Sequence, residues 1–143
     1  MILENTKLIN ASPDRVWSVT QDIEHWPNWT PTMTSVTKLD DAPFEVGCRA
    51  KIKQPGQPEC EWRVTQLSEG TGFTWETRVR GISISATHEL SVQGSGTQNT
   101  LRLTMQGVMA TLLWPLIRPS VKRSLETENA GLKAHCEAME QGA

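Results

Sequence analysis

The sequence is poor in the residues and runs that mark several classes of protein. It has no Tyr and two Phe, although it has six Trp in 143 residues, so a phenol is excluded as a catalytic acid. The apolar run VMATLLWPLI, residues 108–117, falls well short of the roughly 20 residues that cross a bilayer. The net charge is −2, from 14 Lys and Arg against 16 Asp and Glu, which predicts no nucleic-acid partner.

Cysteine and histidine usage argues against disulfides and metal centres. Three cysteines are scattered along the chain, at Cys48, Cys60 and Cys136. An odd, dispersed set without CxxC spacing indicates free thiols in a reducing compartment. His25 and His135 show no metal-ligand spacing. We therefore expect no metal and no cofactor. Glu4 and Asn5 interrupt the apolar core that a signal peptide would need, so we expect a cytoplasmic protein.

The N-terminal third carries helix signals and a proline stop. In SPDRVW, Ser12 is a good N-cap and Pro13 suits the first helical position. A helix that starts there cannot pass Pro27, because the residue before a proline is pushed out of helical geometry. The sequence therefore predicts one helix over 13–20 and a short helical turn over 22–26, followed by extended chain.

Between residues 45 and 107 the apolar residues alternate with polar ones, which predicts five strands of an antiparallel sheet with one dry face. The predicted inward residues are mostly large and apolar: Cys60, Trp62, Val64, Phe73, Trp75, Thr77, Val79, Ile84, Ala86, Leu101, Leu103 and Met105. Residues 2–9 and 33–40 are expected to add two further strands. Turn chemistry in QPGQP, SEGTG, RGIS and QGSGTQN separates the strands.

The C-terminal segment predicts a long helix that covers the dry face. Its apolar stripe recurs at spacings of three and four: Ile117, Val121, Leu125, Glu128, Leu132, Cys136 and Met139. Basic Arg118 near the start and acidic Glu140 near the end oppose the helix dipole, so packing on the sheet must hold this helix. Gly131 lowers helix propensity by roughly 1 kcal/mol, which indicates a close approach or open space beside the helix.

This order of elements resembles the helix-grip fold, and particular segments resemble the START/Bet v 1-like superfamily in its polyketide cyclase/dehydrase and lipid transport branch. They are INASPDRVWSVTQDIEHWPNWTPTMTSV, VGCRAKIKQPGQPECEWRVTQL, FTWETRVRGISISATHEL and GLKAHCE. The resemblance implies one α+β domain over 1–143, with a curved seven-stranded antiparallel sheet wrapped around the C-terminal helix and an elongated cavity between them. It also implies ligands such as lipids, quinones or polyketide intermediates, and catalysis in some members only.

Two tryptophans flank Pro27 in DIEHWPNWTP. We interpret Trp26 and Trp29 mainly as a structural wedge that fixes the short helices on the sheet, because a buried indole removes roughly 150–250 Å² from water. Two alternatives stay open: at least one ring lines the cavity mouth, or the pair contributes to a cation-binding aromatic cage.

His88 is the one ionisable residue on the predicted inward face of the strands, and Glu128 is the one carboxylate in the helix stripe. We hypothesise that they approach each other across the cavity, as candidate catalytic residues or as polar fixtures for a ligand head group. A hydrogen-bonded core histidine is the alternative. The predicted ligand-contacting set is Trp29, Trp62, Trp75, Thr77, His88, Leu103, Met105, Glu128 and Leu132.

The favoured function is binding of a hydrophobic or amphipathic small molecule by a monomer or homodimer. The alternative is a cyclase, aromatase or dehydratase that uses His88 as general acid–base, although the inward face offers few other polar groups for such chemistry. A third hypothesis is lipid or quinone delivery at a membrane, with weak, salt-sensitive contact through residues 108–123. The simpler interpretation of that segment is the start of the helix, packed over the sheet edge with a solvated basic face.

Overall fold

Seven strands form one antiparallel sheet in the computed structural model, which describes residues 1–142, so that Ala143 of the predicted domain lies outside the described residues. The strands are β1 Ile2–Ile9, β2 Ser35–Lys38, β3 Arg49–Lys53, β4 Cys60–Ser68, β5 Gly72–Val79, β6 Ile82–Gln93 and β7 Gly96–Gln106. Their order across the sheet is β1-β7-β6-β5-β4-β3-β2, with antiparallel pairing throughout. With the long C-terminal helix, this confirms the predicted helix-grip fold.

The N-terminal helices follow the capping signals. The helix α1, Pro13–Gln21, has Ser12 as its N-cap, whose side chain accepts a hydrogen bond from the Arg15 backbone N–H. A 3₁₀ helix follows over Ile23–Asn28. It runs through Pro27, whereas the expected turn ended at residue 26. A short 3₁₀ helix has few backbone hydrogen bonds, so the missing proline N–H costs little there.

The final helix, α2, spans Val108–Gln141 and places its predicted stripe against the sheet. Leu125, Glu128, Leu132 and Cys136 are buried, whereas Met139 is 38% exposed. No helix within residues 1–142 combines the length and the apolar character needed to cross a membrane. The sheet and the helices enclose a core in which Trp26 and Leu132 are almost completely buried.

The acidic C-terminal end of α2 has a tertiary role that explains its unfavourable position in the helix dipole. Glu137 accepts a hydrogen bond from the Asn10 backbone N–H at 2.8 Å. Glu140 accepts one from the Ser12 backbone N–H at 3.2 Å and lies 3.5 Å from the Arg15 guanidinium. These carboxylates therefore tie the last helix to the start of α1.

The first four turns of α2 differ from the expected packing over the sheet edge. Val108, Leu112 and Leu116 are between 66% and 78% exposed. The helix continues through Pro115 and Pro119 before its buried stripe begins. The helix therefore starts where expected, and one of its faces there is apolar and exposed, whereas Ala110 is fully buried and Trp114 and Ile117 are half-buried.

Candidate functional site

A cavity of about 130 Å³ lies between the concave face of the sheet and α2. Aromatic and aliphatic side chains on the strands form one wall, including Trp62, Trp75, Leu103 and Met105. The opposite wall comes from α2 through Val121, Leu125 and Glu128. Gln57 and Ser120 line the cavity and are exposed to solvent, so its mouth lies between the β3–β4 turn and the middle of α2.

Six of the nine predicted ligand-contacting residues line this cavity, and three lie elsewhere. The six are Trp62, Trp75, His88, Leu103, Met105 and Glu128. Thr77 lies on the same strand as Trp75, but its hydroxyl donates a 2.7 Å hydrogen bond to the Glu61 carbonyl at an exposed position. The alternation on β5 therefore continues beyond the part of the strand that faces the cavity.

Leu132 and Trp29 pack elsewhere because α2 approaches the Trp29 backbone closely. A Cβ atom at Gly131 would lie 2.2 Å from the Trp29 carbonyl oxygen, so this glycine marks a close approach and not open space. Leu132 is 2% exposed and belongs to the packed core. Leu132 thus lies in the packed core, and Trp29 lies where α2 meets the end of the 3₁₀ helix without a gap.

Trp26, which the wedge interpretation treated as structural, both packs in the core and lines the cavity. Its indole N–H donates a 3.0 Å hydrogen bond to the Thr20 carbonyl. Its ring centroid lies 5.3 Å from that of Trp75 and 5.1 Å from that of His88. Of the two tryptophans around Pro27, the first therefore reaches the cavity, a distinction that their shared sequence context did not make.

His88 is held by aromatic packing at the inner end of the cavity. Its imidazole stacks on Phe73, with centroids 4.6 Å apart and an interplanar angle of 5°. The residue is 5% exposed, and burial lowers the pKa of His88 to about 3, because the charged ring would lose its hydration. The ring is therefore neutral near pH 7, and its nitrogens can accept as well as donate.

Glu128 faces His88 across the cavity, as hypothesised. The His88 Nε2 and Glu128 Oε1 atoms are 3.9 Å apart, which is too long for a direct hydrogen bond. Burial raises the pKa of Glu128 to about 7, since the carboxylate is disfavoured in this apolar setting. Neither side chain forms a hydrogen bond within residues 1–142, so both keep donors or acceptors for a molecule in the cavity.

An asparagine network next to Glu128 fixes the rotation of α2. The Asn129 amide donates to Asn5 Oδ1 at 2.9 Å and to the Asn99 carbonyl at 3.2 Å. The Asn99 amide donates to Asn129 Oδ1 at 2.8 Å, and both Asn99 and Asn129 are fully buried. Turning Glu128 out to solvent would break these bonds, so the network holds the carboxyl toward the cavity.

This network was not predicted from the sequence, although a signal was present. Asn99 continues the odd-numbered inward phase of Leu101, Leu103 and Met105, and Asn129 adjoins Glu128 in the helix stripe. Polar residues on two facing buried surfaces predict a hydrogen-bonded pair.

Among residues 1–142, no three His, Cys, Asp or Glu side chains form a group that could hold a metal ion.

Comparison with known proteins agrees with this architecture. The family model described as polyketide cyclase / dehydrase and lipid transport matches residues 2–137. No curated protein sequence matches this chain.

Similar solved structures include a START superfamily protein from Mycobacterium smegmatis, at 17% identity and a TM-score of 0.74, covering 96% of this chain and 98% of that one. Another is ginseng major latex-like protein 151 from Panax ginseng, at 13% identity and a TM-score of 0.74, covering 95% of this chain and 97% of that one. A third is the di-domain ARO/CYC StfQ from the steffimycin biosynthetic pathway, at 11% identity and a TM-score of 0.77, covering 98% of this chain and 51% of that one. At these identities the likeness concerns the fold alone, whereas the family match over residues 2–137 confirms the predicted polyketide cyclase/dehydrase and lipid transport branch.

Proposed function

This chain belongs to the polyketide cyclase / dehydrase and lipid transport family, and on that premise we propose that it binds a hydrophobic or amphipathic small molecule between its sheet and α2. The observation that carries the proposal is the unfilled cavity itself, with apolar walls and two unpartnered polar groups, as is typical of small-molecule sites. Lipid, quinone and polyketide-like molecules share this apolar character with a few polar groups, and the volume of about 130 Å³ limits how much of such a molecule is enclosed. The three free cysteines favour a carrier in the reducing cytoplasm.

A fluorescence titration tests this function, because Trp26, Trp62 and Trp75 line the cavity and report on its contents. We expect toluene, a single apolar ring, to change the emission of the ligand-stripped protein saturably. Ala86→Leu places extra volume in the cavity wall and should abolish the change. Val92→Ala, at a 67% exposed position on the same strand, is the matched control and should leave it intact.

An unsaturable change, or one that Ala86→Leu does not affect, would overturn the proposal. Native mass spectrometry of the freshly purified protein complements the titration by showing a co-purified mass that Ala86→Leu loses. The mass of that molecule would identify the ligand.

A second candidate is an enzyme of cyclase, aromatase or dehydratase type, which the His88–Glu128 pair favours. Environments that push two pKa values apart assign an acid and a base. Near pH 7 the protonated fraction of Glu128 would donate a proton to the substrate, and the neutral His88 would accept one from it, so His88 is not expected to act as the acid. Incubating the co-purified molecule with fresh protein and following its mass and its NMR spectrum distinguishes the two functions. An enzyme converts the molecule into a different compound, either by loss of water or by a ring closure that keeps the mass, whereas a carrier returns it unaltered.

A third candidate is lipid or quinone delivery at a membrane surface, which the exposed start of α2 favours. Val108, Leu112 and Leu116 are exposed there, and three basic residues follow: Arg118, Lys122 and Arg123. Such a segment would lie in the interface of an anionic bilayer. Sedimentation with anionic liposomes should fall in high salt and in Leu112→Ser. Light scattering that shows a dimer broken by Leu112→Ser would instead assign this surface to a second copy.

A further inference from the structure

We propose that the cavity selects an uncharged single-ring molecule with one hydroxyl group, of which phenol is the simplest case. Its ring would lie against Trp62 and Trp75, and its hydroxyl would lie between His88 and Glu128. This inference rests on the proposed function, because it names the ligand class for the same cavity.

The volume sets the size of the buried part of the ligand. The cavity holds about 130 Å³, and an engineered protein cavity of about 150 Å³ lined by Leu, Ile and Phe admits benzene. One aromatic ring therefore fills the space, whereas a fused polycycle or an acyl chain pair would exceed it. A longer substituent on the ring would leave through the mouth beside Gln57 and Ser120.

The unpartnered polar atoms determine the chemistry at the inner end. His88 Nε2 and Glu128 Oε1 are 3.9 Å apart. An oxygen about 2.8 Å from each would subtend an angle of about 90° between them, which suits a hydroxyl that donates one hydrogen bond and accepts another. A methyl group in that place would leave both buried groups without partners, which costs affinity.

The charges around the cavity favour a neutral ligand. Burial favours the uncharged forms of both His88 and Glu128. Arg102 also lines the cavity, but its guanidinium pairs with Glu4 at 3.4 Å and with Glu89 at 3.2 Å. A carboxylate ligand would thus meet Glu128 without a free cation, and an ammonium ligand would require Glu128 to ionise in a buried site.

Calorimetric titrations with four probes of one ring each test the inference: phenol, toluene, benzoate and benzylammonium. Near pH 6 we expect phenol to bind at least about 10-fold more tightly than toluene, and both ions to bind more weakly than toluene. In Glu128→Leu the phenol-to-toluene ratio should fall to about 1, whereas Val92→Ala should preserve it. His88→Leu is a second variant with the same expected loss, should Glu128→Leu fail to fold.

The outcomes separate this inference from the function on which it rests. Equal binding of phenol and toluene by the wild type, or a ratio that survives both Leu variants, would overturn the hydroxyl assignment and leave the cavity proposal standing. Tightest binding of either ion would overturn the charge argument. If neither phenol nor toluene binds saturably, the proposed function itself fails.

Discussion

Replacing Glu128 with Gln tests the buried His88–Glu128 pair through the pH dependence of folding stability. Burial raises the pKa of this carboxyl from its ordinary 4.5 to about 7, so the folded protein holds the proton more tightly than the unfolded chain does. The stabilising contribution is therefore full below pH 4.5 and is lost as the pH rises through 7. At about 1.4 kcal/mol for each tenfold change in proton affinity, the loss is about 3 kcal/mol.

Gln resembles the protonated carboxyl in shape and charge but cannot ionise. We therefore expect Glu128→Gln to match the wild type near pH 4 and to be about 3 kcal/mol more stable near pH 8. His88 acts in the opposite direction, since its pKa falls from 6.5 to about 3 and its contribution, full above pH 6.5, is lost as the pH falls through 3. Both proteins share that contribution, so it cancels in the difference.

The assay is urea unfolding followed by tryptophan fluorescence at three pH values, near 4, 6 and 8. Glu126→Gln, at an exposed position on the same helix, is the control and should show little difference at any of them. A difference between Glu128→Gln and wild type that stays constant with pH, or grows as the pH falls, would refute the burial argument.

Three further predictions concern packing and accessibility. Gly131→Ala should destabilise the protein by about 2 kcal/mol or more in urea unfolding, because the new Cβ meets the Trp29 carbonyl and outweighs the gain in helix propensity; unchanged stability would show that the helix can shift. Asn129→Ala should lower the free energy of unfolding by about 2–3 kcal/mol in the same assay, because Asn5 and Asn99 lose their buried hydrogen-bond partner. An unchanged free energy of unfolding would show that the network does not stabilise the fold. Cys60 should react with a thiol reagent in the folded protein, whereas buried Cys136, whose pKa burial raises to about 12, should react only after unfolding; rapid labelling of Cys136 would contradict its burial.

The sheet and the direction of Glu128 could be predicted because each depends on a local period. Alternation places Trp62, Trp75 and His88 on one face, and the spacing of three and four turns Glu128 toward it. These patterns follow from backbone geometry alone, so they hold wherever the elements are regular.

The ends of the cavity could not be predicted, because they depend on tertiary contacts between the strands, the 3₁₀ helix and α2. Thr77 and Leu132 have the inward phase of their elements, but the covered region stops before one and the packed core includes the other. Trp26 and Trp29 have the same residue type and similar neighbours in sequence, and only tertiary contacts separate their roles. Leu116 is likewise exposed because it lies on the outer face of α2, while Ala110 on the same part of the helix is fully buried.

A crystal structure under xenon pressure tests the central claim most directly, because xenon occupies preformed apolar space without needing a ligand's chemistry. The account predicts a xenon atom in van der Waals contact with Trp75, Leu103 and Met105. A structure in which those side chains meet α2 with no room between them, and no xenon, would contradict it.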